Sequence, residues 1–208
     1  FFDVQKGNRF KINDIVFHGV ESVKEGKLRR AMKETKRKAW WRIFKRSKYM
    51  TSLYESDKIA MIGKFNNIGL RDAIVKSDTL YKYDDKTINI EITVDEGNTY
   101  YFGDFEWYGN TKYRAGQLDT ILGIKKGEVF NQGLLDSRLH FSQDGSDITS
   151  YYMDRGHLFF QLIPKEKIVT ENDTNFIDYD VRISEGKIAY VRDVRVSGNT
   201  KTNDHVIY

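Results

Sequence analysis

The residues that could do chemistry in this chain are poorly spaced for it. His18, His140, His157 and His205 are scattered through 208 residues. None has the short helical spacing that would set two imidazoles on one metal or beside one nucleophile. Asp84-Asp85 and Asp95-Glu96 come nearest to a carboxylate pair, but each adjoins a turn, where carboxylates solvate backbone rather than share a proton. Cysteine is absent, which excludes a thiol nucleophile, a disulfide framework and a thiolate metal site. No glycine-rich phosphate loop succeeds a strand. The expectation is a chain that is not an enzyme and holds neither cofactor nor metal.

One stretch has a different chemistry. Lys38, Trp40, Trp41, Arg42, Phe44, Lys45 and Arg46 set aromatic faces among cations. Such a patch can lie on anionic lipid headgroups, dock a partner protein, stack nucleic-acid bases, or simply solvate a face with its indoles tucked inward. Between Lys27 and Lys48 there are eleven Lys or Arg residues and one acid, although the whole chain carries only +4. The positive charge is therefore local, and the remainder is acidic.

The elements that must position these residues are marked by an internal repeat. Phe10-Lys-Ile-Asn-Asp14-Ile-Val-Phe17-His-Gly19 returns as Tyr100-Tyr-Phe-Gly-Asp104-Phe-Glu-Trp107-Tyr-Gly109, and again as Ala189-Tyr-Val-Arg-Asp193-Val-Arg-Val196-Ser-Gly198. The aspartates and glycines keep register at offsets of 90 and 89 residues. That period is too long for a solenoid repeat and suits a small folded module. Glu96-Gly97 and Glu185-Gly186 close two of the units, so residues 1–9 end a preceding unit or linker, 10–97 and 98–186 are complete modules, and 187–208 open a third. Linkers this short make a semi-rigid line. No apolar run approaches the roughly 18 residues of a membrane-crossing helix.

Each module reads strand, helix, helix, strand, strand. In the first, the strands are 12–17, 73–81 and 87–94, and the helices are 24–36 and 54–68, the second closed by Gly69. In the second, the strands are 105–108, 158–170 and 176–183, and the helices are 117–122 and 134–153, with Gly156 as the stop. Ile88, Ile90, Ile92 and Val94 alternate with polar residues, the period of a strand with one buried face. Apolar spacing predicts a first core of Ile15, Phe17, Leu28, Ile59, Ile62, Ile90 and Ile92. The second core is Phe105, Trp107, Leu135, Leu139, Ile148, Phe176 and Val181. Two helices return the chain to its start, so the third strand runs parallel to the first and antiparallel to the second, with the first and second as edges. This is an α+β fold of tandem three-stranded mixed sheets, each covered on one face by two helices.

The Gly-Asn turns at 109–110 and 198–199, the Gly123-Ile-Lys-Lys-Gly127-Glu-Val-Phe130 segment, Tyr152 to Gly156 and the two Glu-Gly ends together resemble the POTRA (polypeptide-transport-associated) domains of BamA-type outer-membrane protein assembly factors. The likeness spans the chain and implies the third and fourth domains with the start of a fifth. His18-Gly19-Val20 departs from it, lacking the Asn. The resemblance implies the periplasmic portion of a Gram-negative outer-membrane protein. Its partners would be unfolded outer-membrane proteins, accessory subunits of an assembly machine and, at the aromatic and basic patch, a membrane surface. The mode of capture would be β-augmentation, main-chain pairing at a strand edge that is indifferent to side-chain identity. The expected docking edge is Ala73, Ile74, Val75, Lys76, Ser77, Asp78, Thr79 and Leu80, guarded by its polar centre. A proline at Lys76 is expected to block pairing there. The competing reading is a basic nucleic-acid-binding protein of tandem α/β modules; no nucleic acid is expected on the first reading, since no nucleic-acid-binding fold accompanies the patch.

Overall fold

A computed structural model describes residues 10–37, 49–140, 142–190 and 192–193. The first module contains β1 (Lys11–His18), α1 (Glu25–Ala31), α2 (Thr51–Asn66), β2 (Ile74–Lys82) and β3 (Thr87–Asp95). The second contains β4 (Tyr100–Tyr108), α3 (Ala115–Leu122), α4 (Gln132–Leu139), α5 (Ile148–Met153), β5 (Gln161–Glu171) and β6 (Thr174–Ser184). The sheet orders are β1-β3-β2 and β4-β6-β5. The outer pairs β1 with β3 and β4 with β6 are parallel, and the hairpins are antiparallel. This is the expected α+β architecture, with the alternating strand at the centre of each sheet.

The central strands fill the cores. Ile90 and Ile92 of β3, and Ile177 and Val181 of β6, are wholly buried. Both first strands break register at the same point of the repeat, between Ile12 and Asp14 and between Phe102 and Phe105. A bulge inserts residues without a partner and turns the strand. The repeated aspartate sits at this break and takes a cation: Asp14 pairs with Arg29 at 2.9 Å and Asp104 with Lys126 at 2.7 Å. These ion pairs fasten the first bulged strand to α1 and the second to the loop after α3.

Two of the expected core positions are displaced. Ile59 is 76% exposed, because the buried stripe of α2 runs through Tyr54, Asp57, Met61 and Phe65. Asp57 belongs to that stripe because its carboxylate accepts the backbone N–H of Glu34 and Thr35. The same contact turns the chain after α1, which ends at Ala31 and not at residue 36. Phe176 is only half-buried, since the core face of β6 carries Ile177, Tyr179, Val181 and Ile183, and a strand cannot put Phe176 on that face too. Ile62, Phe105 and Trp107 pack against the cores without being fully enclosed.

The single helix expected over 134–153 is two helices. α4 ends at Leu139, and α5 starts with Asp147 as its cap, accepting from Ser150 N–H at 2.9 Å. The intervening Ser-Gln-Asp-Gly-Ser-Asp sequence offers side-chain acceptors that compete with helix, and Gly145 takes a positive φ of 69°.

Candidate functional site: strand edges and the joint between modules

β2 is an edge strand, and among the described residues no strand lies beyond it. Its pairing with β3 skips Lys76, between Val75↔Val94 and Ser77↔Thr93. Lys76 is therefore a bulge residue, where a proline is tolerated, so substitution there does not test the edge. Ala73 lies just before the strand, buried, with its N–H turned back to Leu70 O at 3.3 Å. Ile74, Leu80 and Tyr81 expose apolar surface along the strand.

Asp78 guards β2 from the inside. Its carboxylate reaches Lys58 of α2 at 3.0 Å, and Lys58 also pairs with Glu55 at 2.9 Å. Burial pushes the Asp78 carboxyl up, but the Lys58 ammonium outweighs it and holds the group below its ordinary value. An inward-facing charge on an edge strand permits the native sheet and penalises stacking of another. The hairpin beyond is closed by Asp84, whose Oδ1 accepts Lys86 and Thr87 N–H, each at 2.7 Å.

Sequence reasoning made the second strand of each module an edge, but it did not nominate β5 for docking. That strand pairs with β6 without a break from Gln161 to Glu171 and exposes Ile163 and Ile168. Pro164, the one proline of the chain, was the available signal, because inside a sheet proline is confined to edges and bulges. The opposite edge of the same sheet is partly covered. Gly127 N–H donates to Phe102 O at 2.8 Å and Phe130 N–H to Tyr100 O at 3.0 Å. The Gly127-Glu-Val-Phe130 motif thus pairs along β4. In the first module Tyr49 N–H meets Phe10 O at 3.0 Å in the matching way. The aromatic and basic patch, Lys38, Trp40, Trp41, Arg42, Phe44, Lys45 and Arg46, lies outside the described residues.

The modules meet through backbone. Gly69, at φ 94° after α2, gives its carbonyl to Tyr100 N–H, the first residue of β4, at 2.8 Å. Gly156, at φ 89°, does the same for Ala189 N–H at 2.8 Å. Around the first joint Asn67 Oδ1 accepts Gly133 N–H at 2.9 Å, Arg71 pairs with Glu166, and the Tyr100 hydroxyl donates to Asp72. That hydrogen bond, with partial burial, raises the Tyr100 hydroxyl above its ordinary pKa.

The two Glu-Gly ends are locks within each module. Glu96 accepts Glu21 N–H at 2.8 Å and Ser22 N–H at 3.0 Å, and Glu185 accepts Lys112 N–H at 2.9 Å and the Tyr152 hydroxyl at 3.3 Å. Partial burial pushes the Glu96 carboxyl up, but the Ser22 hydroxyl and the two N–H groups hold it below the ordinary 4.5. Glu185 is lowered likewise, burial being outweighed by the Thr111 hydroxyl and Lys112 N–H. A carboxyl lowered by folding stabilises the native state above its unfolded pKa, and that stability disappears as pH falls through the folded value. Denaturation midpoints of the wild type and of Glu96→Gln with Glu185→Gln should therefore differ most at neutral pH and converge in acid, as pH falls through the lowered carboxyl values. A gap that persists into acid would show that the locks depend on shape and not charge.

His157 is 2% exposed, and its Nδ1 lies 2.9 Å from Glu185 O, a structural position beneath the second joint. His18 and His140 are exposed, and His205 lies outside the described residues. Among the described residues no cluster of His, Cys, Asp or Glu could hold a metal ion, and no helix is long and apolar enough to cross a membrane.

The family model described as "POTRA: Surface antigen variable number repeat" matches residues 10–97 and again 100–186. The chain is similar to the outer membrane protein assembly factor BamA of Neisseria meningitidis serogroup B, 24% identical over 98% of this chain and 25% of that protein. It is also similar to a putative outer membrane protein assembly factor of Treponema pallidum, 23% identical over 99% of this chain and 24% of that protein. The chain thus spans about a quarter of the length of these relatives. Among solved structures, the Haemophilus influenzae BamA POTRA3-5 fragment superposes with a TM-score of 0.60 at 19% identity, covering 99% of this chain and 78% of that one.

Proposed function

The chain belongs to the POTRA family, and from that premise we propose that residues 10–97 and 98–186 are periplasmic binding modules of an outer-membrane protein assembly factor. Unfolded outer-membrane protein segments and accessory subunits are received by adding a strand to β2 of the first module. The modules catalyse no reaction; the work is to hold an extended chain while it is delivered to the membrane.

The observation that carries this reading is the outer side of β2, which has no neighbouring strand among the described residues. Backbone N–H and C=O groups on such an edge pair with any extended segment, so affinity comes with little sequence preference. That indifference suits a module with many clients. The bulge at Lys76 and the inward Asp78 keep the same edge from pairing with a second copy of itself.

Two adjacent prolines test it. Along a strand, N–H groups alternate between the paired and the outer side, so of Thr79→Pro and Leu80→Pro one removes a donor to β3 and the other an outward donor. The variant that keeps its melting temperature is the outward one. It should bind an extended peptide copied from an outer-membrane β-strand about tenfold more weakly, with the matching alanine near wild type. Chemical-shift changes should track β2 and spare β5. Full binding by the folded proline variant would reject β2 as the docking edge.

A further inference from the structure

Between α1 and α2 lies a groove of about 560 Å³, on the helix layer of the first module. Lys27, Arg30 and Lys33 line one wall and Lys64 the other. The neighbouring cations are paired elsewhere: Arg29 with Asp14 and Glu25, and Lys58 with Glu55 and Asp78. Among the described residues, Lys27, Lys33 and Lys64 have no acidic partner, and Arg30 donates only to Gly26 O, at 3.0 Å. The floor is apolar, with Val23 and Ala31 buried and Ala60 and Ile68 open at the sides.

We propose that this groove binds an acidic, apolar-interleaved segment of a partner protein. Four uncompensated cations select carboxylates by charge, and the floor takes the side chains between them. Lys27, Arg30 and Lys33 follow one another along α1 and the turn after it, and Lys64 belongs to the opposite wall, an arrangement that suits the several carboxylates of an extended segment. The lining contains no aromatic residue on which a base could stack, which disfavours a nucleic acid. A bilayer surface fits poorly as well, because Val23 and Ala31 are recessed and Ile68 alone is a large exposed apolar residue there. The site is separate from β2, so two ligands could occupy the module together.

The probe is a hexapeptide of alternating glutamate and leucine, titrated into the 208-residue chain and followed by amide chemical shifts. Shifts should centre on Val23, Ala31, Ala60 and Ile68 and weaken steeply with salt. Arg30→Gln with Lys64→Gln, two exposed positions, should lower affinity about tenfold while leaving the melting temperature unchanged. The counterpart peptide with lysine for glutamate should not shift the groove. Equal groove shifts from both peptides, or shifts confined to β2, would overturn the proposal. Groove shifts produced by phosphatidylglycerol vesicles but not by the acidic peptide would overturn it in favour of a lipid surface.

Discussion

Ile90→Ala will destabilise the first module by about 2–5 kcal/mol, because it empties a site at the centre of the sheet. Ile90 is 0% exposed and is flanked in register by Ile15 of β1 and Leu80 of β2. Deleting its branch costs the transfer free energy of the methyl groups and leaves a cavity that a three-stranded sheet has few neighbours to fill. For a module of this size the loss approaches its entire stability. Ile59→Ala is the control: at 76% exposure it should change stability by no more than about 0.5 kcal/mol. Hydrogen exchange makes the comparison local. Protection should collapse in β3 of the Ile90 variant while β6 keeps its own, and equal effects of the two substitutions would place α2 the other way round.

Gly109→Ala should cost about 3 kcal/mol, combining a left-handed conformation with a collision against backbone. Gly109 has φ 86°, and a Cβ there would sit 2.2 Å from Ile183 O, at the end of the central strand β6. Gly19 repeats the arrangement, with φ 70° and a distance of 2.3 Å to Val94 O. Neither carbonyl can withdraw without loosening the Glu185 or Glu96 lock beside it. Gly123→Ala separates the two contributions. Gly123 also has a positive φ, 63°, but nothing lies nearer than 3.9 Å, so only the conformational cost of about 1 kcal/mol remains. Thermal denaturation that found Gly109 and Gly123 equally tolerant would show that the turn moves freely.

The sheet topology was legible because β3 alternates strictly and because the repeat places Gly69 and Gly156 where helices must stop. The illegible features depended on side chains meeting backbone far away in sequence. Asp57 gave no sign that it would be drawn inward by Glu34 and Thr35, so the apolar Ile59 looked the better core residue. Nothing in Val75-Lys76-Ser77 marks a bulge, and β-branched and polar residues sit equally well on either side of one. The locks formed by Glu96 and Glu185 were visible as a repeated motif, but their acceptor role needed the loops after Gly19 and Gly109 to be placed. The candidate edge β2 came from element order, the alternation of β3 and the polar centre of β2 itself. The groove between α1 and α2 did not, since its fourth cation, Lys64, comes from the far end of another helix.

The joint between modules has a bearing on how such chains grow. Its central bond runs to a glycine carbonyl from the N–H of a residue near the start of the next unit, groups that survive nearly any substitution at the donating residue. Around that bond the side chains differ: Arg71 and Asp72 stand at the first joint where Leu158 and Phe159 stand at the second. A unit can therefore be duplicated, lost or exchanged without a matched interface having to arise at the same moment. The bond preserves the way one unit meets the next, while the surrounding side chains are free to diverge until each junction acquires its own stiffness.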